Sequence, residues 1–321
     1  MVTTKHLLKG VRKVITPQNK VTPAMLRARI IGSEMDCRRG FTGGDPEVIL
    51  RLGGHVGSVI ECHSGLDRAM EQGRASIRAA EEARRSAAAG TVILADCLTA
   101  SKGRFSRSWH APAGGIWGCL LLPDIFLDRA RMLLPLALGM ACCETAREFG
   151  VSGAAVRWVN DVLVDGRKLA GFLVEGYRAP ASTENWFLLG FGINVNNRSF
   201  PAELRSSAVS LGQLLGHSLD LSAVTVSFLA KLAWNIGLLL YQEQQDLSLG
   251  SDDAEPACQL FLDEWRLLSD TLGRRIVYGY DVEQLPQYQA RVMAILPDGG
   301  LVMRLGDGHE VTEYSGELRY L

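Results

Sequence analysis

The dipeptide Asp165-Gly166 is the feature that most constrains the fold of this 321-residue chain. Asp-Gly is a strong signal for a tight β-hairpin, because both residues tolerate the positive φ angles that such turns require. It separates two β-rich runs, residues 162–164 and 169–175. These runs are therefore predicted to pair antiparallel, which excludes a purely parallel sheet.

Helical and extended patterns alternate around this hairpin. Apolar residues at helical spacing, with Gly90 placed to end the first stretch, predict helices at 64–89, 127–149 and 221–242. Short apolar runs predict strands at 91–95, 118–122, 155–158 and 186–195. Together these elements predict a mixed α/β domain.

The last fifty residues have a different pattern. Short β-rich runs at 275–278, 288–296, 301–305 and 310–314 are separated by the turn sequences 297–300 and 306–308. Closely spaced short strands predict a small β-barrel. The predicted plan is an N-terminal extension (1–50), an α/β domain (51–270) and a C-terminal β domain (271–321).

Composition excludes several classes of protein. The chain has 34 Lys+Arg against 35 Asp+Glu and is 47% hydrophobic, which excludes wholesale disorder and a whole-chain basic excess. Apolar runs of the length that spans a bilayer, about 18 residues or more, do not occur, so we expect no membrane partner. Seven cysteines without a C-x-x-C pair or a signal-peptide pattern predict reduced thiols in the cytoplasm.

The first fifty residues are basic up to Arg39 and lack sustained apolar periodicity. Three interpretations stay open: a segment that packs on the body, a basic arm for an anionic partner, or an organelle transit peptide. We favour the first. The transit interpretation lacks the serine enrichment and the amphipathic helix that such peptides show.

The loop 99–109 is the first segment that indicates chemistry. It follows a predicted strand and carries Lys102, Arg104 and Arg107 among Gly103 and three serines. Such a loop is able to close on an anion, since Lys supplies a point charge and Arg a bidentate fork for phosphate oxygens. The alternative is a solvated basic loop.

Two further segments surround the hairpin and the following strand. Asn160-Asp161 ends one strand and Lys168 follows the turn, so a carboxylate and an ammonium are predicted on one face of the sheet. A carboxylate suits Mg²⁺ or a ribose hydroxyl, and an ammonium suits a carboxylate or a phosphate; the alternative is a surface ion pair. The stretch 190–197 places glycines in a strand that ends in asparagines, which indicates either close approach of a ligand or an Asn-rich turn.

These segments, in this order, resemble the biotin protein ligase family of the wider biotin/lipoate ligase fold. The stretch 160–171 is typical of the whole group, and the loop 102–109 with Pro112 is similar to the G-R-G-R-x-x-R-x-W-x-S-P segment of the biotin branch. The glycine-rich R-R-x-x-G-G-G stretch of the lipoate branch does not occur in the sequence. The resemblance runs from about residue 58 to 321.

The resemblance implies both a fold and an activity. The fold is a seven-stranded mixed α/β sheet like that of class II aminoacyl-tRNA synthetases, followed by an SH3-like barrel. The activity is condensation of biotin with MgATP to biotinyl-5′-AMP, then transfer of biotin to a lysine of a biotin carboxyl carrier domain. Because ligases of this type often dimerise, a homodimer is a candidate assembly.

Roles for particular residues follow by position in the motifs. The resemblance implies that Arg104 contacts the adenylate phosphate, that Lys168 bridges the biotin carboxyl and the phosphate, and that Asp161 holds Mg²⁺ or orients the acceptor lysine. It implies contacts to biotin from Ser64, Thr99, Lys102, Gly103, Gly115, Trp117, Gly171 and Leu173, and contacts to ATP from Arg107, Trp109, Asn160, Asn194 and Asn196.

The departures from the family pattern cluster where the biotin ring would bind. Gly65 stands at a threonine position and Leu98 at a glutamine position, and both lost groups would bond the ureido head. A ligase for lipoate or octanoate, or a non-catalytic paralogue that binds a ligand or carrier, therefore stays open beside the biotin ligase. Fifty residues are short for the winged-helix repressor domain of some relatives and show no helix-turn-helix pattern, so we do not expect DNA binding.

Overall fold

A computed structural model describes residues 17–249 and 259–321. Four of the basic residues of the extension (Lys5, Lys9, Arg12 and Lys13) and Cys258 lie outside these ranges.

A seven-stranded sheet forms the centre of the larger domain. Its strands are β1 (Ile60–His63), β2 (Val92–Ala95), β3 (Ile116–Pro123), β4 (Ala154–Arg157), β5 (Asp161–Val164), β6 (Arg167–Arg178) and β7 (Asn185–Ile193). The order across the sheet is β1-β2-β3-β7-β6-β5-β4, with β1 and β2 parallel and the other neighbours antiparallel. This confirms the predicted mixed sheet.

The Asp165-Gly166 hairpin connects β5 to β6 as predicted. Asp165 has φ +49° and Gly166 has φ +74°, the left-handed conformation that this dipeptide tolerates. The register shifts between Val162 and Leu163, so Lys168 lies opposite Leu163 while Asp161 lies opposite Gly171. Lys168 and Asp161 are therefore not directly opposite each other, and the Lys168 side chain reaches diagonally across the two strands to the Asp161 carboxylate.

Helices cover both faces of this sheet. They are α1 (Pro23–Arg29), α2 (Met35–Arg38), α3 (Pro46–Gly53), α4 (Ala69–Glu82), α5 (Asp128–Glu148), α6 (Leu211–Leu215), α7 (Leu221–Leu249) and α8 (Gln259–Leu268). Helix α5 packs on one face, on β4 to β7, and α4 packs on β2, β3 and β7, where Ile77 joins a second apolar cluster with Leu121 and Leu188. The main apolar cluster, which includes the buried residues of α5, and this second cluster under α4 thus lie on opposite sides of the sheet.

Helix α7 is long and apolar enough to cross a membrane when judged by length and composition alone. Its most apolar window is 89% buried inside the protein, and the helix packs against α3 and α5. Burial of this kind is typical of a central core helix.

The segment before α3 packs on the same core. Val21 and Leu26 are buried in the main apolar cluster, and Glu34 lies 3.1 Å from Lys231 on α7. The sequence shows little periodicity here, yet α1 forms because the Thr22 hydroxyl accepts a hydrogen bond from the backbone N–H of Met25. End-capping and tertiary packing, rather than a repeating pattern, produce these helices.

The C-terminal region forms a second, five-stranded antiparallel sheet. Its strands are β8 (Arg275–Gly279), β9 (Tyr288–Ile295), β10 (Leu301–Leu305), β11 (Glu310–Glu313) and β12 (Glu317–Tyr320), in the order β11-β10-β9-β8-β12. This confirms the predicted β region, although β12 was not predicted. The Trp158 indole N–H donates to the carbonyl of Gly299, which joins the two sheets.

Candidate active site

A cavity of about 790 Å³ opens between the sheet and the loop 98–110. Its walls come from this loop, from β6 and β7, from the start of α4 and from the end of the chain. Most of the residues assigned from the sequence line it: Lys102, Gly103, Arg104, Arg107, Trp109, Trp117, Asn160, Lys168, Gly171, Leu173 and Asn194. The volume lies near the upper end of the roughly 300–1,000 Å³ range of small-molecule pockets.

The wall formed by the sheet is organised around the Asp161 carboxylate. Lys168 Nζ lies 2.6 Å from Oδ1, and the Arg157 guanidinium donates to Oδ2 at 2.5 Å. Arg157 comes from the neighbouring strand β4, where it pairs with Asp161 across the turn. The carboxylate therefore holds the ammonium of Lys168 in place at the cavity wall.

The two cations determine the protonation state of Asp161. Burial by itself raises the pKa of this carboxyl, and the charges of Lys168 and Arg157 more than offset it and bring the pKa to about 2. The geometry does not fit the magnesium ligand expected at Asp161, because each carboxylate oxygen already faces a cation. Within residues 17–249 and 259–321, no group of three or more His, Cys, Asp or Glu side chains suits a metal ion.

Backbone contacts within the loop 98–110 hold the wall that this loop forms. Lys102 and Ser108 form a β-bridge, and the N–H of Gly103 donates to the carbonyl of Arg107 at 2.7 Å. The Trp109 indole lies on the strand glycines: a Cβ at Gly192 would meet its Nε1 at 2.7 Å. Glycine in these strands therefore permits the indole to lie directly on the sheet, whereas the close approach of a ligand stays a prediction.

The same indole carries a free donor and faces a cation. Its buried Nε1 has no hydrogen-bond acceptor among the described residues. Lys168 Nζ lies 5.2 Å from the centre of the ring. Trp109 and Lys168 thus lie side by side in the lining of the cavity.

Two arginines of the loop contact the C-terminal domain. Arg104 donates to Asn160 Oδ1 at 2.9 Å and to the carbonyl of Gly316 at 2.8 Å. Arg107 makes two hydrogen bonds of 2.8 Å to the Glu317 carboxylate and lies 2.5 Å from Asp281. Burial lowers the pKa of Arg104, whereas the hydrogen bond from Arg107 lowers the pKa of Asp281.

The asparagines that line the cavity are fixed by backbone groups. The Asn160 amide donates to the carbonyl of Phe172 at 2.8 Å, which leaves its oxygen for Arg104. Asn194 is 3% exposed and its oxygen accepts a hydrogen bond from Asn197. Asn160 and Asp161 are neighbours in the chain. The hydrogen bond from Arg104 to Asn160 therefore keeps Arg104 close to the Asp161–Lys168 pair.

Five assigned residues do not line the cavity: Asp161, which lies behind Lys168, and four others. Asn196 Oδ1 accepts from the N–H of Leu219 and so supports a loop, and the Thr99 hydroxyl donates to Asp67 at 2.5 Å. The Ser64 carbonyl faces the thiol of Cys97 at 3.6 Å. Gly115 is buried against the Trp117 indole, where a Cβ would lie 2.0 Å from the ring. Their contacts to substrate stay predictions.

One end of the cavity contains residues that the sequence analysis did not assign. Leu98, Met70, Arg74 and Glu175 line it together with Leu173. Arg74 forms an ion pair with Glu175 and also lies 2.6 Å from Glu71. Two local signals were available in the sequence: Arg74 follows Met70 by one helical turn, and Glu175 alternates with Gly171 and Leu173 along one strand.

The fold and this cationic cavity are similar to those of the biotin/lipoate ligase class. A family model described as the biotin/lipoate A/B protein ligase family matches residues 74–194, which include the loop, the hairpin and strand β7. The matched segment is less than half of the chain, and the match agrees with the resemblance found in the sequence.

Two relatives show the extent of the likeness. The bifunctional ligase/repressor BirA of Bacillus subtilis is 38% identical over 148 residues, which are 45% of each chain. A biotin–[acetyl-CoA-carboxylase] ligase of Paracoccus denitrificans is 32% identical over 139 residues, 40% of this chain and 55% of the relative. The chain therefore matches about half the length of these relatives.

Solved structures extend the likeness in fold beyond the matched segment. The biotin protein ligase of Aquifex aeolicus, solved with biotin and ATP, aligns with a TM-score of 0.62 at 21% identity. The alignment covers 82% of this chain and 99% of the ligase. It shows that the two-sheet architecture is that of a biotin protein ligase.

Proposed function

We propose that this protein is a biotin–protein ligase. It condenses biotin with MgATP to biotinyl-5′-AMP and pyrophosphate, and then transfers biotin to a lysine of a biotin carboxyl carrier domain. The observation that carries the proposal is the convergence of Lys168, Arg104 and Asn160 in one cavity. Relatives named as a bifunctional ligase/repressor and as a biotin–[acetyl-CoA-carboxylase] ligase support it.

In the first half-reaction, electrostatic stabilisation of the two anionic reactants matters more than covalent catalysis by the protein. A biotin carboxylate that attacks the α-phosphate of ATP brings two anions together, and fixed cations stabilise the charge that develops. Lys168 is held at the wall by Asp161 and is placed to contact both anions. Arg104 would exchange the Asn160 and Gly316 oxygens for those of the phosphate.

The loop has a second task, which is to exclude water. Biotinyl-5′-AMP is a mixed anhydride and hydrolyses if water reaches it. Trp109 covers the glycine strands beside Lys168, and Arg107 fastens the loop to the last strand of the chain. Magnesium would arrive with the phosphates of ATP, which suits an ion that keeps several waters and few protein ligands.

The direct test is ATP–pyrophosphate exchange with biotin, lipoate or octanoate added separately. We expect exchange with biotin, and loss of about 10²-fold or more of it in Lys168→Ala, because the cation at the reacting carboxylate is removed. Arg167→Ala is the matched control, because this neighbouring cation does not line the cavity. Mass spectrometry of a carrier domain then tests transfer to lysine.

A ligase for another carboxylic acid is the second candidate. Leu98 and Met70 make one end of the cavity apolar, which favours an apolar chain or ring. Exchange with lipoate or octanoate but not with biotin would establish this function. No exchange with any acid would favour the non-catalytic paralogue.

A cytoplasmic location and a homodimer are part of the same proposal. The six described cysteines are free thiols, as expected of a protein from a reducing compartment. Equilibrium ultracentrifugation with and without biotin and ATP tests the dimer.

A further inference from the structure

The end of the cavity that lies beyond Leu173 is built around the ion pair of Arg74 and Glu175. Arg74 lies on α4, one turn after Met70, and Glu175 lies on β6. The guanidinium contacts the Glu175 carboxylate, and its centre is 5.8 Å from the middle of the Tyr177 ring. The Arg74 side chain is 19% exposed and that of Glu175 is 40% exposed, so the pair is partly desolvated.

This ion pair lies at the far end of a groove that begins at Lys168. Alternation along β6 puts Gly171, Leu173 and Glu175 on one face of the strand, about 13 Å from first to last at the usual rise per residue. On β7, Gly192 lies opposite Gly171 and Gly190 lies opposite Leu173. Because these glycines lack side chains, the floor of the groove is open to a ligand.

The walls at this end are largely apolar around the charged pair. Met70 lies over Gly190, where a Cβ would meet its sulfur at 2.8 Å, and Leu98 packs with Met70 against the second apolar cluster. The hydroxyl and amide that the family resemblance led us to expect are absent at Gly65 and Leu98. A polar ligand head at this end needs other partners, since a buried polar group without a hydrogen-bond partner weakens binding.

The donors and acceptors of the pair match a cyclic urea. Such a ring presents one carbonyl acceptor and two N–H donors, whereas guanidinium offers only donors and carboxylate only acceptors. We propose that Arg74 and Glu175 bind the ureido head of biotin: Arg74 donates to its carbonyl oxygen, and Glu175 accepts from a ring N–H. This inference rests on the proposed function and assigns head recognition to residues of α4 and β6.

Charge makes these hydrogen bonds strong enough to set specificity. Hydrogen bonds to ionised groups contribute about 1.5–3 kcal/mol, roughly twice as much as those between neutral partners. Their loss therefore corresponds to a rise of about ten- to a hundredfold in the KM for biotin. The KM for ATP depends on the opposite end of the groove and should stay constant.

The experiment compares Arg74→Met and Glu175→Met with wild-type protein in ATP–pyrophosphate exchange. We expect each variant to raise the KM for biotin about tenfold or more, with the KM for ATP within twofold and lipoate-dependent exchange, if any, unaffected. Arg78→Met, an exposed arginine one turn along α4 that does not line the cavity, is the matched control and should behave as wild type.

A second ligand separates recognition from a structural role. In 2-iminobiotin the ureido carbonyl is replaced by an imine that is protonated at neutral pH, so the head becomes a cation that faces Arg74. Arg74→Met should therefore shift kcat/KM toward 2-iminobiotin relative to biotin, whereas Glu175→Met should weaken both. If Arg74→Met does not fold, Glu175→Gln tests the proposal instead. We then expect the KM for biotin to rise about threefold.

The outcomes distinguish this inference from the proposed function. Wild-type protein that shows exchange with lipoate or octanoate but not biotin overturns the biotin ligase itself. Wild-type exchange with biotin, together with variants whose biotin KM stays within twofold, overturns only the assignment of Arg74 and Glu175. Equal losses for biotin and 2-iminobiotin in Arg74→Met also overturn it, because a merely structural role acts on both alike.

Discussion

The two walls of the cavity hold their cations in opposite ways. On the sheet, Lys168 and Arg157 meet the buried carboxylate of Asp161, and all three residues lie within twelve positions of one another in the chain. On the loop, Arg107 is 40% exposed and reaches Asp281 and Glu317, which lie more than 170 positions further along. The sheet wall is a local, buried arrangement, whereas the loop wall depends on the C-terminal domain.

This difference in burial and partners suggests that the two walls have different roles in the reaction. A buried ion pair loses much stability when one partner is removed, because the other charge is left uncompensated. Exposed pairs contribute about 0–1 kcal/mol and are screened by salt. The sheet wall is therefore suited to fixed placement of Lys168, and the loop wall to repeated opening and closing around substrates.

The largest effect should follow from disruption of the sheet wall. Asp161→Asn leaves Lys168 and Arg157 without a counter-ion, and we expect the free energy of unfolding to fall by about 3 kcal/mol. Urea unfolding measures this loss, and Asp165→Asn in the exposed turn is the matched control. An Asp161→Asn protein as stable as the control would contradict the view of a buried, tightly held carboxylate.

The same variant gives a pH test with a definite sign. The pKa of Asp161 is about 2 in the folded protein, below its ordinary value of 3.8, so its ionised form stabilises the fold. That contribution is fully present above about pH 4 and is lost as the pH falls toward 2. The stability difference between wild type and Asp161→Asn should therefore shrink over this interval.

An intermediate effect is expected where the two walls meet. Arg104→Met removes the loop cation that contacts Asn160, and we expect the rate of biotin-dependent exchange to fall about a hundredfold. Thermal unfolding should change less than in Asp161→Asn, because the oxygens that Arg104 contacts are uncharged and no counter-ion is left behind. Arg198→Met, an exposed arginine outside the cavity, is the control, and an exchange rate within threefold of wild type would refute the role of Arg104.

The sequence predicts the sheet wall better than the loop wall for a physical reason. Asp165-Gly166 fixes the register of β5 and β6, and register places Lys168 near Asp161 without help from distant residues. Arg157 was not assigned, although it precedes Asp161 by only four residues across a tight turn. Local geometry is thus largely predictable from spacing, even where one partner was not recognised.

Contacts between distant segments were not predictable in this way. The loop pattern identified Arg104 and Arg107, but not that Gly316, Glu317 and Asp281 would hold them. Strand β12, which carries Glu317, was itself missed because its four residues show little apolar alternation. Arg74 and Glu175 were missed for the same reason, since their meeting depends on how α4 packs on the sheet.

The smallest effect should follow from loosening the contact between loop and C-terminal domain. Asp281→Asn combined with Glu317→Gln leaves Arg107 without charged partners, and ion pairs at a protein surface contribute little to stability. We expect a rise of two- to fivefold in the KM for ATP, because loop closure becomes less favourable. Glu283→Gln, which pairs with Arg319 at the same rim, is the matched control.

Salt distinguishes closure of the loop from a simple loss of structure. At about 1 M salt the Debye length is about 3 Å, so the exposed pairs of Arg107 are largely screened. Wild-type protein should then approach the KM of the double variant, while the variant itself should respond less. If the KM for ATP changes equally with salt in both proteins, the Arg107 contacts do not control loop closure. The loop wall would then be a fixed structure, as the sheet wall is.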